Sequence, residues 1–107
     1  MSGIGDMGNL LKQAQEMQRQ VKQVKADLRA ASIAGSAGGG AVEVELSQDR
    51  HEVKRVTLKP EVLASGDPAM VEDLCQAAFQ DALRRAEEAE AAALGRVTGG
   101  MQLPGLF

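Results

Sequence analysis

Hydrophobic residues recur at helical spacing near the start of the chain. Met7, Leu10, Ala14, Met17, Val21, Val24, Leu28 and Ala31 alternate three and four residues apart, the a/d rhythm of a helix that packs along one seam. A second series, Lys12, Gln15, Arg19, Lys22, Ala26 and Arg29, keeps the same rhythm five residues out of phase. At about 100° per residue, the two series lie about 140° apart round the helix. The pattern predicts a helix over 7–30 with an apolar side for packing and a basic side suited to an anionic partner. At about 1.5 Å per residue it is a rod about 36 Å long, more than so small a domain can cover, so part of it projects or packs on another copy. The six Gly-rich residues ahead read as a frayed lead-in, with Asn9 the candidate cap.

After residue 31 the period changes. Ser32 to Gly35 is a candidate short strand, and Gly35 to Gly40 reads as a tight connection. Ala41 to Ser47 then alternates, with Val42, Val44 and Leu46 on one face and Glu43 and Glu45 on the other. Gln48 to Arg50 makes a turn, and Glu52 to Leu58 gives a further strand with Val56 and Leu58 on the core face. One apolar and one charged face predict an antiparallel sheet covered on one side, ended at Lys59-Pro60 because proline cannot continue the ladder. Pro60 to Ala64 fits one helical turn. Asp67-Pro68 pairs an N-cap residue with a first-turn proline and opens a helix over 68–94, stopping at Gly95 or frayed through Thr98. Its apolar stripe, Val71, Leu74, Cys75, Ala78, Ala82, Ala86, Ala89 and Ala93, thins to alanine, which predicts close helix–helix approach. Residues 95–107 form an aperiodic tail, in which Leu103, Leu106 and Phe107 could dock on a partner.

Composition limits the chemistry. The 107 residues make one domain, and with Phe79 and Phe107 the only aromatics, the core must come from Ala, Val, Leu and Met, so pairing with a second copy would help. A single cysteine, Cys75, excludes an internal disulfide framework and suits a reducing cytosol. No apolar run approaches the roughly 20 residues of a membrane span, and the N-terminus lacks a signal peptide's basic start and apolar middle; the expected address is the cytoplasm. No catalytic group is assembled: His51 reads as a solvated turn residue and Cys75 as a structural thiol on the apolar stripe. No metal-ligand cluster or cofactor motif is present, and Gly38 to Gly40 lack the Lys-Ser/Thr and following helix of a phosphate loop.

The net charge is −3, unlike a generic DNA binder, but its distribution is uneven: residues 1–34 carry +2, 35–66 carry −1 and 67–107 carry −4. The field at a surface depends on local arrangement more than on the total. The basic stripe of the first helix contains no acid, and Gln13, Gln15, Gln18, Gln20 and Gln23 lie among its charges, able to bond phosphates or base edges. Such a stripe can also serve solubility alone. Arg84-Arg85 is a second basic pair, for which Asp81 and Glu88 are intramolecular partners one turn away. Single-stranded nucleic acids usually need aromatic stacking platforms, and interfacial membrane helices favour Trp, Phe and Leu. Duplex DNA held by its backbone needs neither.

Several segments now group together. GNLLKQAQEMQ at 8–18, GSAGGGAVEVELSQDRHEVKRVTLKPEVL at 35–63, DLCQAAFQDALRRAEE at 73–88 and GGMQLPG at 99–105 closely resemble, in order, the YbaB/EbfC family of bacterial nucleoid-associated proteins. The resemblance implies an α+β fold, α-β-β-β-α, with a three-stranded antiparallel sheet over 32–58 between long terminal helices, and a real first strand at Ser32. It also implies tweezer-like homodimers whose helices project as arms, DNA binding with little sequence specificity, no enzymatic activity and association with the nucleoid. Carried over by charge and face, the implied DNA contacts are Lys12, Arg19, Lys22, Lys25 and Arg29, with Arg84 and Arg85. The seam residues Met7, Leu10, Ala14, Met17, Val21, Val24 and Leu28 are the implied packing and dimer surface. The alanine-rich EAEAAALGR segment at 88–96 departs from the family's more mixed, Lys-bearing stretch, which weakens the case for the last helix. The competing expectation is a protein-interaction module that docks replication or recombination proteins, with the basic stripe incidental.

Overall fold

The computed structural model describes residues 3–98, with side chains from Asp6 to Val97. Helix α1 spans Gly3–Ala30 and is followed by strands β1 (Ser32–Ala37), β2 (Val42–Ser47) and β3 (Val53–Leu58), a short helix α2 (Pro60–Ala64) and the long helix α3 (Pro68–Thr98). The strands form one antiparallel sheet in the order β1-β2-β3. Among the described residues, no helix is long and apolar enough to cross a membrane.

Helix α1 starts four residues earlier than the apolar rhythm indicates. Asp6 lies in its first turn, where a carboxylate interacts well with the helix dipole, and no proline interrupts the lead-in. Strand β1 likewise extends to Ala37 and includes Gly35. That glycine is a packing requirement: a Cβ there would lie 2.2 Å from the Ala82 backbone nitrogen of α3. The reversal is confined to Gly38, Gly39 and Gly40, all at positive φ, a region that glycine enters without strain.

Strand β2 lies at the centre. Val42, Val44 and Leu46 are buried, and with Val62, Ala78 and Ala82 they form the core. Helix α3 crosses β1 and β2, so its alanines close on the sheet of their own chain. It does not cover β3. Val56 and Leu58 share the core face by register with Val44 and Val42, yet Val56 is 41% exposed and Val53 55%. The expectation for Val56 is corrected: alternation identifies a face but does not fix how much of the sheet one helix can cover.

At the start of α3, Asp67 Oδ1 accepts the Met70 N–H at 3.1 Å, the N-cap that Asp67-Pro68 predicts. The helix passes Leu94 and Gly95 and continues to Thr98. A mid-helix glycine costs about 1 kcal/mol against alanine, and packing offsets it here. Val21 and Leu28 of α1 and Ala86 and Leu94 of α3 are all buried where the two helices run side by side. Burying a side chain such as Val21 or Leu28 is worth about 1.5–3 kcal/mol. The helices are antiparallel: Ala93 lines a cleft with Val24, and Val97 one with Met17. Towards the start of α1, Met7, Leu10 and Leu11 are 63–64% exposed among the described residues. The body with its projecting arm measures 76 × 20 × 18 Å.

Candidate nucleic-acid interface

The seam divides into two halves. Val21 and Leu28 are buried, Met17 and Val24 half-buried, and Met7, Leu10 and Ala14 exposed. The first four hold α1 on its own chain, while the last three lie on the arm. Lys12, Arg19, Lys22, Lys25 and Arg29 are all exposed along α1.

Exposure does not make their charges equally available. Arg19 Nε donates to Glu16 Oε2 at 2.7 Å, one turn back. Arg29, at the C-terminal end of α1, has its Nη1 3.3 Å from His51 Nδ1 and 4.0 Å from Asp49 Oδ2. Lys12, Lys22 and Lys25 have no carboxylate within ion-pair distance among the described residues. Nor do the remaining lysines, Lys54 and Lys59.

Arg84 and Arg85 sit on α3 in a closed acidic setting. Arg84 reaches Asp81 at 2.6 Å and Glu88 at 3.1 Å, and Arg85 Nε reaches the other Asp81 oxygen at 3.1 Å. Asp81 Oδ2 also accepts the backbone N–H of Ser36 in β1 at 3.0 Å. That bond is the largest single cause that holds the Asp81 carboxyl below its ordinary pKa, followed by the bonds from Arg84 and Arg85. Asp81 and then Glu88 push the Arg84 guanidinium up. One carboxylate therefore joins α3 to the edge strand and binds both arginines.

The β2–β3 turn forms the end of the surface nearest the α1 C-terminus. Asp49 Oδ1 accepts the Ser47 hydroxyl at 2.7 Å and the His51 N–H at 3.0 Å; the Ser47 bond is the main cause of its lowered pKa. Arg50 takes a left-handed φ of 66°, a strain of about 1–3 kcal/mol for a side-chain-bearing residue, and its Nη2 reaches Glu90 of α3 at 3.3 Å. His51, expected to be a solvated turn residue, is exposed but touches both Asp49 and Arg29. Lys54, which the sequence did not single out, donates from Nζ to Ser32 Oγ at 2.8 Å. Alternation from Val56 and Leu58 would place Lys54 on the core face, where a charge does not belong, and that mismatch was its only signal in the sequence. Cys75 is a half-buried free thiol beside the core. The tail residues 99–107, including Leu103, Leu106 and Phe107, lie outside the described residues.

Comparison with known proteins places this arrangement. Residues 3–101 match the model of the YbaB/EbfC DNA-binding family. A nucleoid-associated protein of Alkaliphilus metalliredigens is 43% identical over 107 residues, covering 100% of this chain and 93% of that protein. One from Acetivibrio thermocellus is 44% identical over 104 residues, covering 96% and 91%. Among solved structures, an uncharacterized protein from Helicobacter pylori superposes with a TM-score of 0.71 at 18% identity, over 92% of this chain and 100% of that one. That likeness is one of fold.

Proposed function

The chain belongs to the YbaB/EbfC DNA-binding family, and from that premise we propose that it acts as a homodimeric nucleoid-associated protein. In this reading it grips duplex DNA mainly through backbone phosphates, with little sequence preference, and works at the nucleoid in the cytoplasm, affecting chromosome organisation and gene expression. The observation that carries the reading is the set of uncompensated lysines on α1, Lys12 on the projecting arm and Lys22 and Lys25 exposed on the half that packs against α3. An ammonium group is a compact point charge without the planar fork that reads base edges, so these residues suit phosphate. Arg19 and Arg29 join them at the expense of weak surface pairs, which are worth about 0–1 kcal/mol. Arg84 and Arg85 contribute least, because Asp81 and Glu88 already neutralise them. The contacts need no catalytic group, metal or cofactor.

The second copy is supported by apolar surface that one chain leaves open. Val53 and Val56 sit on the core face of β3, beyond the reach of α3, and β3 is an edge strand. An exposed apolar edge invites pairing with another chain. Met7, Leu10 and Ala14 add surface on the arm. The exposure of Met7, Leu10 and Leu11 also favours one rival reading, a module that docks replication or recombination proteins through its arm.

A gel shift with mixed-sequence duplex at low salt and micromolar protein separates the two. Binding is expected, with a log–log salt slope of about −5 if about six phosphates are neutralised per dimer. Charge reversal of Arg19 and Lys22 together is expected to abolish the shift and leave the dimer intact in sedimentation. No shift by the unaltered protein, or a shift insensitive to salt, would contradict the phosphate mechanism and favour the docking module.

A further inference from the structure

Lys54 owes its position to an irregularity in the sheet. Glu45 of β2 pairs with Arg55, but the next residue, Leu46, pairs with Val53, so Lys54 is the extra residue of a β-bulge. Bulges bend a strand and re-aim the side chain they carry. Lys54 has no carboxylate partner among the described residues, and it rests on the Ser32 hydroxyl.

Ser32 lies just past the C-terminal end of α1. The bond marks where the bulge sets the Lys54 ammonium group, at the base of the basic helix near the segment that carries Arg29. An ammonium has three N–H donors, and Ser32 engages one. Along α1, the ten residues from Lys12 to Lys22 span about 15 Å, and the seven from Lys22 to Arg29 about 10 Å. Lys54 continues this row beyond the end of the helix, to about 30 Å in all. Each strand of a duplex offers a charge about every 3.4 Å along the axis, so a row of that length meets several phosphates.

We propose that Lys54 is a phosphate contact, through which the DNA-binding surface continues from α1 onto β3. The inference rests on the reading of α1 as the DNA surface, and it is tested separately. With Lys54 engaged in both protomers, about eight phosphates are neutralised and the slope of the unaltered dimer steepens from about −5 to about −7. Lys54→Ala is expected to return the slope to about −5 and weaken binding at physiological salt several-fold, while Lys54→Arg preserves both. Ser32→Ala removes the hydrogen bond but keeps the charge, and is expected to hold the slope near −7. A slope near −5 for the unaltered protein, unchanged in Lys54→Ala, would overturn the contact and leave the α1 reading standing. An equal loss of slope in Ser32→Ala and Lys54→Ala would also overturn it, since the bond across the sheet and not the charge would then matter. Failure of the unaltered protein to bind duplex at all would instead defeat the reading of α1.

Discussion

Helices α1 and α3 both expose basic residues, but the Arg84-Arg85 pair of α3 is held by carboxylates while the lysines of α1 are not. On α3, Arg84 and Arg85 stand within 3.1 Å of carboxylates, and the central acid, Asp81, is fixed by the Ser36 N–H. On α1, Lys12, Lys22 and Lys25 project without such partners among the described residues. Ion pairing therefore separates the two helices further than a count of basic residues does. A guanidinium held by its own helix must give up bonds before it gains a phosphate, whereas a hydrated lysine releases only water and counterions.

The comparison depends on α3 being seated on β1, and the strongest way to break it is at their closest approach. Gly35→Ala places a methyl group 2.2 Å from the Ala82 nitrogen, a collision with backbone that no rotamer relieves. Overpacking a core typically costs about 1–3 kcal/mol, occasionally more, and the upper end is expected here. Chemical denaturation should show a large loss of stability, and unchanged stability would mean that the two backbones can separate easily.

A smaller change sharpens the contrast. Asp81→Ala is expected to lower the melting temperature by several degrees, because the Ser36 N–H loses its acceptor. It should also tighten binding to duplex a few-fold, because Arg84 and Arg85 lose their shared partner. Opposite signs in the two measurements are the diagnostic result; weaker DNA binding in a folded Asp81→Ala protein would show that the α3 arginines were not restrained. Asp81 also has the smallest effect of the series, on acid stability. Its folded pKa is depressed, so its contribution is complete above the ordinary carboxylate value and is lost as pH falls through its own lower value. Asp81→Ala should lose that part of the acid limb in pH-dependent melting, while Asp49, also depressed, retains its share.

Local rules made much of the molecule legible. Strict alternation marked Val42, Val44 and Leu46, all of which are buried, and Asp67-Pro68 marked the start of α3, where Asp67 caps Met70. The resemblance added β1 as a real strand. Spacing offered the ion pairs of Arg84 and Arg85 as an alternative to DNA contact, since Asp81 and Glu88 lie one turn away. Periodicity did not reveal where the neighbour of α1 ends: one unbroken seam became a packed half at Val21 and Leu28 and an open half at Met7 and Leu10. The width of α3 on the sheet was equally invisible, which left Val56 exposed against expectation. The bond from Ser36 to Asp81 joins residues 45 apart, and the bulge that aims Lys54 depends on cross-strand register. Both arise only when the chain is folded.

The most direct test of the central claim is the salt dependence of duplex binding by two double variants beside the unaltered dimer. Lys22→Ala with Lys25→Ala removes four phosphate contacts per dimer, so the slope should become shallower by about 3.6. Arg84→Ala with Arg85→Ala should leave it nearly unchanged. A large loss of slope from the arginine pair and little from the lysine pair would contradict the account, placing the anion on α3 rather than on α1.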